Sequence, residues 1–130
     1  MRQNFYKKDA ILKSKELYFC KGERKMEDIL KLTHQEDILT AALGGEIDHH
    51  SAVSVRGRID EALFMHRPKT LVIDIARVDF MDSSGLGLIM GRLAKTKEIG
   101  TTLVIKNPSK RVLRMLKMAG LDRMIPIQKD

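Results

Sequence analysis

The sequence predicts an α/β domain in which helices pack on a mixed, mostly parallel sheet of about four to five strands. Apolar runs typical of strands alternate with segments whose apolar residues recur every three or four positions. The resulting order, β-β-α-β-α-β-α-β, is typical of a largely parallel sheet. At 130 residues the chain is long enough for one core and short for two, so we predict a single domain over residues 26–130.

The domain is predicted to begin with a pair of strands. Ile29–Thr33 and Ile38–Leu43 are rich in β-branched and apolar residues, and the polar segment Gln35–Asp37 between them predicts a turn. We expect Gly44 and Gly45 to end the second strand, because glycine weakens strand interiors.

The first helix is predicted from Ser51 to a point before Pro68, since apolar residues there follow helical spacing. The cluster Asp48-His49-His50 precedes it and raises the question of a metal site. Adjacent side chains on a helix do not face one another, so we favour Asp48 or Ser51 as a helix cap. No metal site and no cofactor are predicted.

The second half of the domain alternates regularly between strands and helices. Thr70–Ile75 is a near-continuous apolar run, which suits a strand covered on both faces. The segment Phe80–Gly91 is expected to start a second helix that ends just before Gly100, and a strand is expected over Thr101–Lys106. A third helix is expected between Pro108 and Gly120. The segment Met124–Ile127 predicts a short last strand.

Composition and charge exclude several classes of function. No apolar stretch is long enough to span a membrane, and no secretory signal begins the chain, so we expect a cytoplasmic protein with no membrane partner. Cys20 is the only cysteine, which excludes an internal disulfide and a multi-cysteine metal site. The charge of +7 lies mostly in residues 1–25, and no basic stripe with aromatic residues follows, so we expect no direct nucleic-acid binding.

Residues 1–25 are predicted to be either a disordered leader or a mis-annotated start. They hold eight lysines and arginines against three acids and offer no apolar face. The letters KGERKM end at Met26, and Gly-Glu codons of the form GGN-GAR resemble a ribosome-binding site two codons before an ATG. Met26 is therefore our hypothesis for the true start.

The segment FMDSSGLGLIMG, residues 80–91, marks the predicted turn from strand to helix. A hydrolase nucleophile there would need glycine two residues before the serine, and neither Ser83 nor Ser84 has one. Gly85, Gly87 and Gly91 do not match the spacing of a dinucleotide-binding loop, and no Gly-Lys-Ser/Thr follows. Serine hydrolysis and nucleotide catalysis are therefore disfavoured.

A helical projection at about 100° per residue predicts which side of this helix meets solvent. It places the core stripe on one side, formed by Leu86, Ile89, Met90 and Leu93. Ser84 then lies nearly opposite the stripe, together with Gly87, Leu88 and Gly91, while Ser83 lies toward Leu86 and Met90. Such a smooth, partly apolar face fits a partner protein, although the glycines equally fit close packing within the domain itself.

Two motifs about 30 residues apart resemble one known family. GGEIDHHSA, residues 44–52, and VDFMDSSGLGLIMGRL, residues 78–93, are similar to the anti-sigma factor antagonists of the STAS class. The similarity is greatest to the sporulation antagonist of spore-forming bacteria that acts in the forespore. It begins near Ile29, so it implies a STAS-like domain and leaves residues 1–25 outside.

The resemblance implies a regulator without catalysis of its own. In that family an anti-sigma factor that is also an ATP-dependent serine kinase phosphorylates the second serine of the motif, which corresponds to Ser84. The unphosphorylated form binds the anti-sigma factor and releases the sigma factor, and a metal-dependent serine phosphatase restores that form. The family's contact surface corresponds here to Asp48, His50, Asp82, Ser83, Ser84, Gly85 and Gly87, beside the outward positions Leu88 and Gly91. An antagonist of a general-stress or other sigma regulon stays open as an alternative. So does a serine hydrolase or small-molecule-binding domain of similar α/β shape.

Overall fold

The computed structural model describes residues 26–130, apart from the side chain of Glu27. The expectations for residues 1–25, including the leader and Cys20, lie outside the described residues. The elements, in chain order, are α1 Met26–Ile29, β1 Leu30–Gln35, β2 Ile38–Ile47, α2 His49–His66, β3 Thr70–Met81, α3 Ser83–Ile99, β4 Thr102–Lys106, α4 Lys110–Met118, a 3₁₀ turn Leu121–Arg123 and β5 Ile127–Gln128.

The five strands form one mixed sheet in the spatial order β1-β2-β3-β4-β5. The β1/β2 pair is an antiparallel hairpin, and the other three neighbouring pairs are parallel. Each parallel pair is joined through a helix, as β-α-β connections require. The predicted α/β class and the alternating order of strands and helices are therefore confirmed.

One face of the sheet meets the helices in a continuous apolar core. Alternate strand residues such as Leu71, Ile73 and Ile105 belong to this core, together with Ile59 of α2 and Leu116 of α4. Val72 and Val104 are also buried but lie outside the core cluster, as the alternation of side chains along a strand requires. The helices thus pack on one side of the sheet.

β2 and β3 are longer than the sequence predicts. Gly44 and Gly45 do not end β2; the strand continues to Ile47, and its pairing with β3 shifts register between Ala42 and Gly44 and again beside Gly45. Gly45 has φ 75°, so the glycines allow irregular pairing rather than ending the strand. β3 likewise runs on to Met81, well past its last partner on β4. The extension brings the starts of α2 and α3 side by side.

Three smaller features complete the fold. A single helical turn that the sequence does not predict, α1, precedes β1 and includes the buried Ile29, which was expected to begin the strand. The predicted turn between β1 and β2 is confirmed, with Glu36 in the left-handed region at φ 56°. Among the described residues, no helix has both the length and the apolar character needed to cross a membrane.

Candidate functional site

Two aspartates lie next to each other where β2 and β3 end. Ile47 is paired with Met81, and the backbone N–H of Asp82 donates to the Ile47 carbonyl oxygen over 3.3 Å. Asp48 and Asp82 directly follow these two strand ends, and each begins a helix. The carboxyl ends of two parallel strands therefore present two helix starts and two carboxylates at one edge of the sheet.

Asp48, one of the two caps that the sequence offers, is the N-cap of α2, which begins at His49 rather than at the predicted Ser51. Its side chain accepts a hydrogen bond from the Ser51 N–H, and the Ser51 hydroxyl accepts one from the Asp48 N–H, each over 3.0 Å. This reciprocal pair is a capping box with serine in the third helical position. His49 and His50 are exposed in the first turn. Within residues 26–130, no group of three or more His, Cys, Asp or Glu side chains is placed to hold a metal ion.

Asp82 is the N-cap of α3 and occupies most of the hydrogen-bond donors of its first turn. Its Oδ1 accepts from the Ser84 N–H at 2.7 Å, and its carbonyl oxygen accepts from the N–H groups of Gly85 at 3.0 Å and Leu86 at 3.3 Å. In the described part of the chain, neither the Ser83 nor the Ser84 hydroxyl has a hydrogen-bond partner. Both hydroxyls are therefore available for modification.

Gly85 is required by the packing of α3 on the two strand ends. A Cβ atom at this position would lie 2.9 Å from Met81 Sδ and 3.3 Å from Ile47 Cγ2. The helix approaches β2 and β3 so closely that no side chain fits between them. This glycine therefore serves the packing of the domain.

The predicted orientation of α3 is wrong. Leu88, expected on the outer face, is only 4% exposed and packs in the core, whereas Met90, expected in the core, is 50% exposed. Ser83 is the exposed serine, and Ser84 lies half-buried at the margin between core and solvent. The outward position of Gly87 is confirmed, and Gly91 is half-buried.

Burial of two polar residues explains why the apolar pattern misplaces the helix. Arg92 and Thr96 are buried on the core side of α3, together with Gly85 and Leu88. The Thr96 hydroxyl donates to the Leu93 carbonyl oxygen over 3.0 Å, which satisfies it locally. A projection that assigns the core from apolar residues alone therefore turns the helix toward Met90.

Arg92 connects α3 to α2 and was not predicted from the sequence. Its Nη1 lies 2.8 Å from Asp60 Oδ1 and donates over 3.3 Å to the Arg56 carbonyl oxygen, while its buried Nε has no acceptor among the described residues. Burial lowers the pKa of the Arg92 guanidinium, and the neighbouring Asp60 carboxylate acts in the opposite direction. This ion pair joins the two helices whose first turns form the site.

The outer face of α3 is small and smooth. We define it by Ser83, Gly87, Met90 and Gly91; a Cβ atom at either glycine would meet nothing within 4 Å. Close packing within the domain therefore explains Gly85 but neither Gly87 nor Gly91. Phe80, at the end of β3, is 43% exposed and adds apolar surface near the start of the helix.

Comparison with known proteins identifies the family. The STAS domain matches residues 30–130. The chain belongs to the STAS domain family. The anti-sigma F factor antagonist of Paenibacillus polymyxa is 35% identical over 98 residues, which cover 75% of this chain and 84% of that relative. The anti-sigma-B factor antagonist of Bacillus subtilis is 32% identical over 92 residues, covering 71% and 83% respectively.

Solved structures agree with this assignment. The anti-sigma factor antagonist SpoIIAA in its unphosphorylated form is 28% identical with a TM-score of 0.70, over 78% of this chain and 87% of that one. SpoIIAA of Bacillus in the phosphorylated form is 27% identical with a TM-score of 0.65, over 78% and 90%. The resemblance stated from the two sequence motifs is confirmed: this STAS domain is an anti-sigma factor antagonist.

Proposed function

We propose that this antagonist is controlled by one phosphate on Ser84. In its unphosphorylated form it binds an anti-sigma factor that is also a serine kinase and thereby releases the sigma factor. A metal-dependent serine phosphatase returns the phosphorylated form to the active one. The protein acts in the cytoplasm of a sporulating cell as a regulator, with no catalysis and no cofactor of its own.

The observation behind this proposal is the pair of serine hydroxyls at the start of α3, directly beside the start of α2. Neither hydroxyl has a hydrogen-bond partner among residues 26–130. The family resemblance assigns the phosphate to the second of them, Ser84. The predicted outward orientation no longer supports that choice, because Ser83 is the more exposed hydroxyl. The assignment to Ser84 therefore depends on the motif alone, and Ser83 is the competing acceptor.

The proposed contact surface includes both aspartates, His50 and the outer face of α3. His50 and Ser83 are exposed, and Asp48, Asp82 and Ser84 are half-buried, so a partner can reach all of them. Gly85 and Leu88 are buried. They contribute by positioning the helix rather than by touching a partner.

A phosphate on Ser84 would change the charge of this surface sharply. It adds nearly two negative charges, which the helix macrodipole favours at an N-terminus. The Ser84 N–H already donates to Asp82, however, so the phosphate would meet the Asp82 carboxylate and point toward solvent. A partner that covers the helix start would have to desolvate both negative groups. Phosphorylation should therefore abolish binding while the domain stays folded.

The test is phosphorylation in vitro by the anti-sigma kinase of the same organism with ATP. We expect one phosphate, located on Ser84 by peptide mapping. Ser84→Ala should accept no phosphate and keep binding the kinase, because an unpartnered hydroxyl adds little to stability, and Ser84→Asp should bind poorly. The matched control is Ser83→Ala, which should still be phosphorylated.

Two results would contradict this mechanism. Phosphate on Ser83 would move the switch by one residue and overturn the assignment from the motif. An absence of phosphate, combined with hydrolysis of a model ester that Ser84→Ala abolishes, would favour the serine hydrolase alternative.

A general-stress regulon is the second candidate for the pathway. The 32% identity to an anti-sigma-B factor antagonist favours it nearly as much as the 35% identity to an anti-sigma F factor antagonist favours sporulation. Affinity capture from the host, with and without ATP, followed by mass spectrometry identifies the bound anti-sigma factor. Recovery of the sporulation anti-sigma factor supports the proposal, and recovery of the stress anti-sigma factor contradicts the sporulation role.

A further inference from the structure

Helix α4 has a strongly basic outer side that the antagonist site does not use. Its nine residues, Lys110–Met118, include four lysines and arginines and no acid. Val112 and Leu116 are buried in the core, and the basic residues point the other way, namely Lys110, Arg111, Arg114 and Lys117. Met118 stands among them with 82% of its surface exposed.

Two recesses lie against this side of the helix. One, of about 470 Å³, is lined by Leu113 and Met118 together with the basic side chains of α4. The other, of about 570 Å³, lies between α4 and β5 and includes Leu113, Ile127 and Lys129. Lys110, Leu113 and Lys117 line both recesses, so the two form adjoining parts of one groove. We call this the α4 groove.

The α4 groove combines an apolar floor with a cationic rim. Asp122 is the one acid among its lining residues. The carboxylate of Asp130 lies nearby in sequence but is held by Lys106 at 3.3 Å and by Asn107. In the described residues no ion pair neutralises Lys110, Arg114 or Lys117, so their charges are free for an external anion.

We propose that the α4 groove binds an acidic segment of another protein that inserts an apolar side chain between α4 and β5. Charge complementarity selects the acidic segment, and the partly buried Leu113 and Ile127 supply the contact for the apolar anchor. The site is distinct from the start of α3, where the carboxylates Asp48 and Asp82 favour a basic partner. The chain thus offers two surfaces of opposite charge.

The shape and composition of the groove favour a protein segment over a membrane or a nucleic acid. An amphipathic helix that enters a bilayer needs several protruding apolar residues, and α4 offers Met118 alone. Binding of single-stranded nucleic acid relies on aromatic side chains for stacking, and none of the described residues that line the two recesses is aromatic. The half-buried Leu113 and Ile127 instead offer an apolar contact for one inserted side chain.

The experiment uses the full chain and a synthetic helical peptide built from glutamate and leucine, labelled for fluorescence anisotropy. One triple variant reverses the charge of the groove's rim: Lys110→Glu/Arg114→Glu/Lys117→Glu. Its matched control reverses the charge of the same residue types at three exposed positions elsewhere, Lys31→Glu/Arg58→Glu/Lys97→Glu. We expect the first variant to weaken binding about tenfold or more, and the control to weaken it about twofold or less.

The apolar anchor is tested with a second peptide in which serine replaces leucine at the same net charge. It should bind the wild-type chain about tenfold more weakly than the leucine peptide. Amide chemical shifts of the wild-type chain provide a measurement that needs no variant, and the leucine peptide should perturb Leu113, Lys117 and Ile127.

Several outcomes would overturn the proposal. Equal loss of affinity in both triple variants would mean that the overall charge of the chain attracts the peptide. Equal affinity for the leucine and serine peptides would show that no apolar side chain is inserted into the groove. The chain could instead bind phosphatidylglycerol vesicles or single-stranded DNA and not the leucine peptide. That result would show that the groove binds a membrane or a nucleic acid rather than an acidic protein segment.

Discussion

At the scale of single residues, the glycines of α3 have different physical roles although they share one motif. Gly85 is required because the ends of β2 and β3 leave no room for a side chain at this position. Gly87 and Gly91 face open space, yet glycine inside a helix costs about 1 kcal/mol of stability relative to alanine. The fold gives no reason for this cost at either position. A partner that needs close access to the α3 backbone supplies one.

Alanine substitution separates these roles. Gly87→Ala and Gly91→Ala should each stabilise the domain by roughly 0.5–1 kcal/mol in urea unfolding, and should weaken binding to the anti-sigma factor. Gly57→Ala is the matched control, because Gly57 is an equally open helical glycine in α2; it should stabilise without changing affinity. Gly85→Ala should destabilise, since its Cβ would collide with Met81. Unchanged affinity in both α3 variants would leave these glycines without a binding role.

At the scale of elements, the ion pair between Arg92 and Asp60 links α2 to α3. Asp60→Ala leaves the buried guanidinium without its carboxylate and should destabilise the domain by about 1–3 kcal/mol, reduced from a fully buried pair because Asp60 is one-third exposed. Arg92→Met removes the charge and its unsatisfied Nε while keeping an unbranched side chain. The double variant should therefore be more stable than Asp60→Ala alone. Urea unfolding measures the free energy of unfolding of the two single variants and the double variant. If the loss in the double variant equals the sum of the two single losses, the two side chains are not coupled.

Some features of the helices and strands could be predicted from the sequence, and others could not. The order of strands and helices was predictable because their apolar periods differ, and the α2 cap was predictable because Asp48 and Ser51 have the capping-box arrangement. The rotation of α3 was not, because Arg92 reaches a carboxylate on another helix that no local pattern indicates. The extensions of β2 and β3 were missed for a related reason, since their irregular pairing depends on the neighbouring strand. The two serines lie at the start of a helix, as the sequence predicts, but their predicted exposure was reversed.

At the scale of the whole molecule, the two candidate binding surfaces differ in charge and belong to different helices. The α2 and α3 starts present Asp48 and Asp82, and the α4 groove presents Lys110, Arg114 and Lys117. A phosphate on Ser84 would add negative charge to the first surface, and the described lining of the α4 groove includes no residue of α2 or α3. Occupation of the α4 groove should therefore be independent of the phosphorylation state, so that a second partner stays bound while the anti-sigma factor dissociates.

Stability of the whole domain should decrease in mild acid because of a histidine pair between the outer strand and the first long helix. The rings of His34 in β1 and His66 in α2 are stacked with centroids 4.2 Å apart. Burial, and then the charge of His34, lowers the pKa of His66 below its usual 6.5. The unfolded chain therefore binds more protons than the native one between that lowered pKa and 6.5, and stability is lost as pH falls through this window.

The measurement is the urea concentration at the midpoint of unfolding, determined at several pH values from about 7.5 down to about 5.5. This range lies above that in which most carboxylates titrate. The wild-type chain should lose stability toward the acid end. His66→Gln should flatten that dependence, because it removes the group whose native form resists protonation. His34→Gln should flatten it less, since burial is a larger cause of the shift than the charge of His34. Identical pH profiles for wild type and His66→Gln would show that other groups govern the acid response.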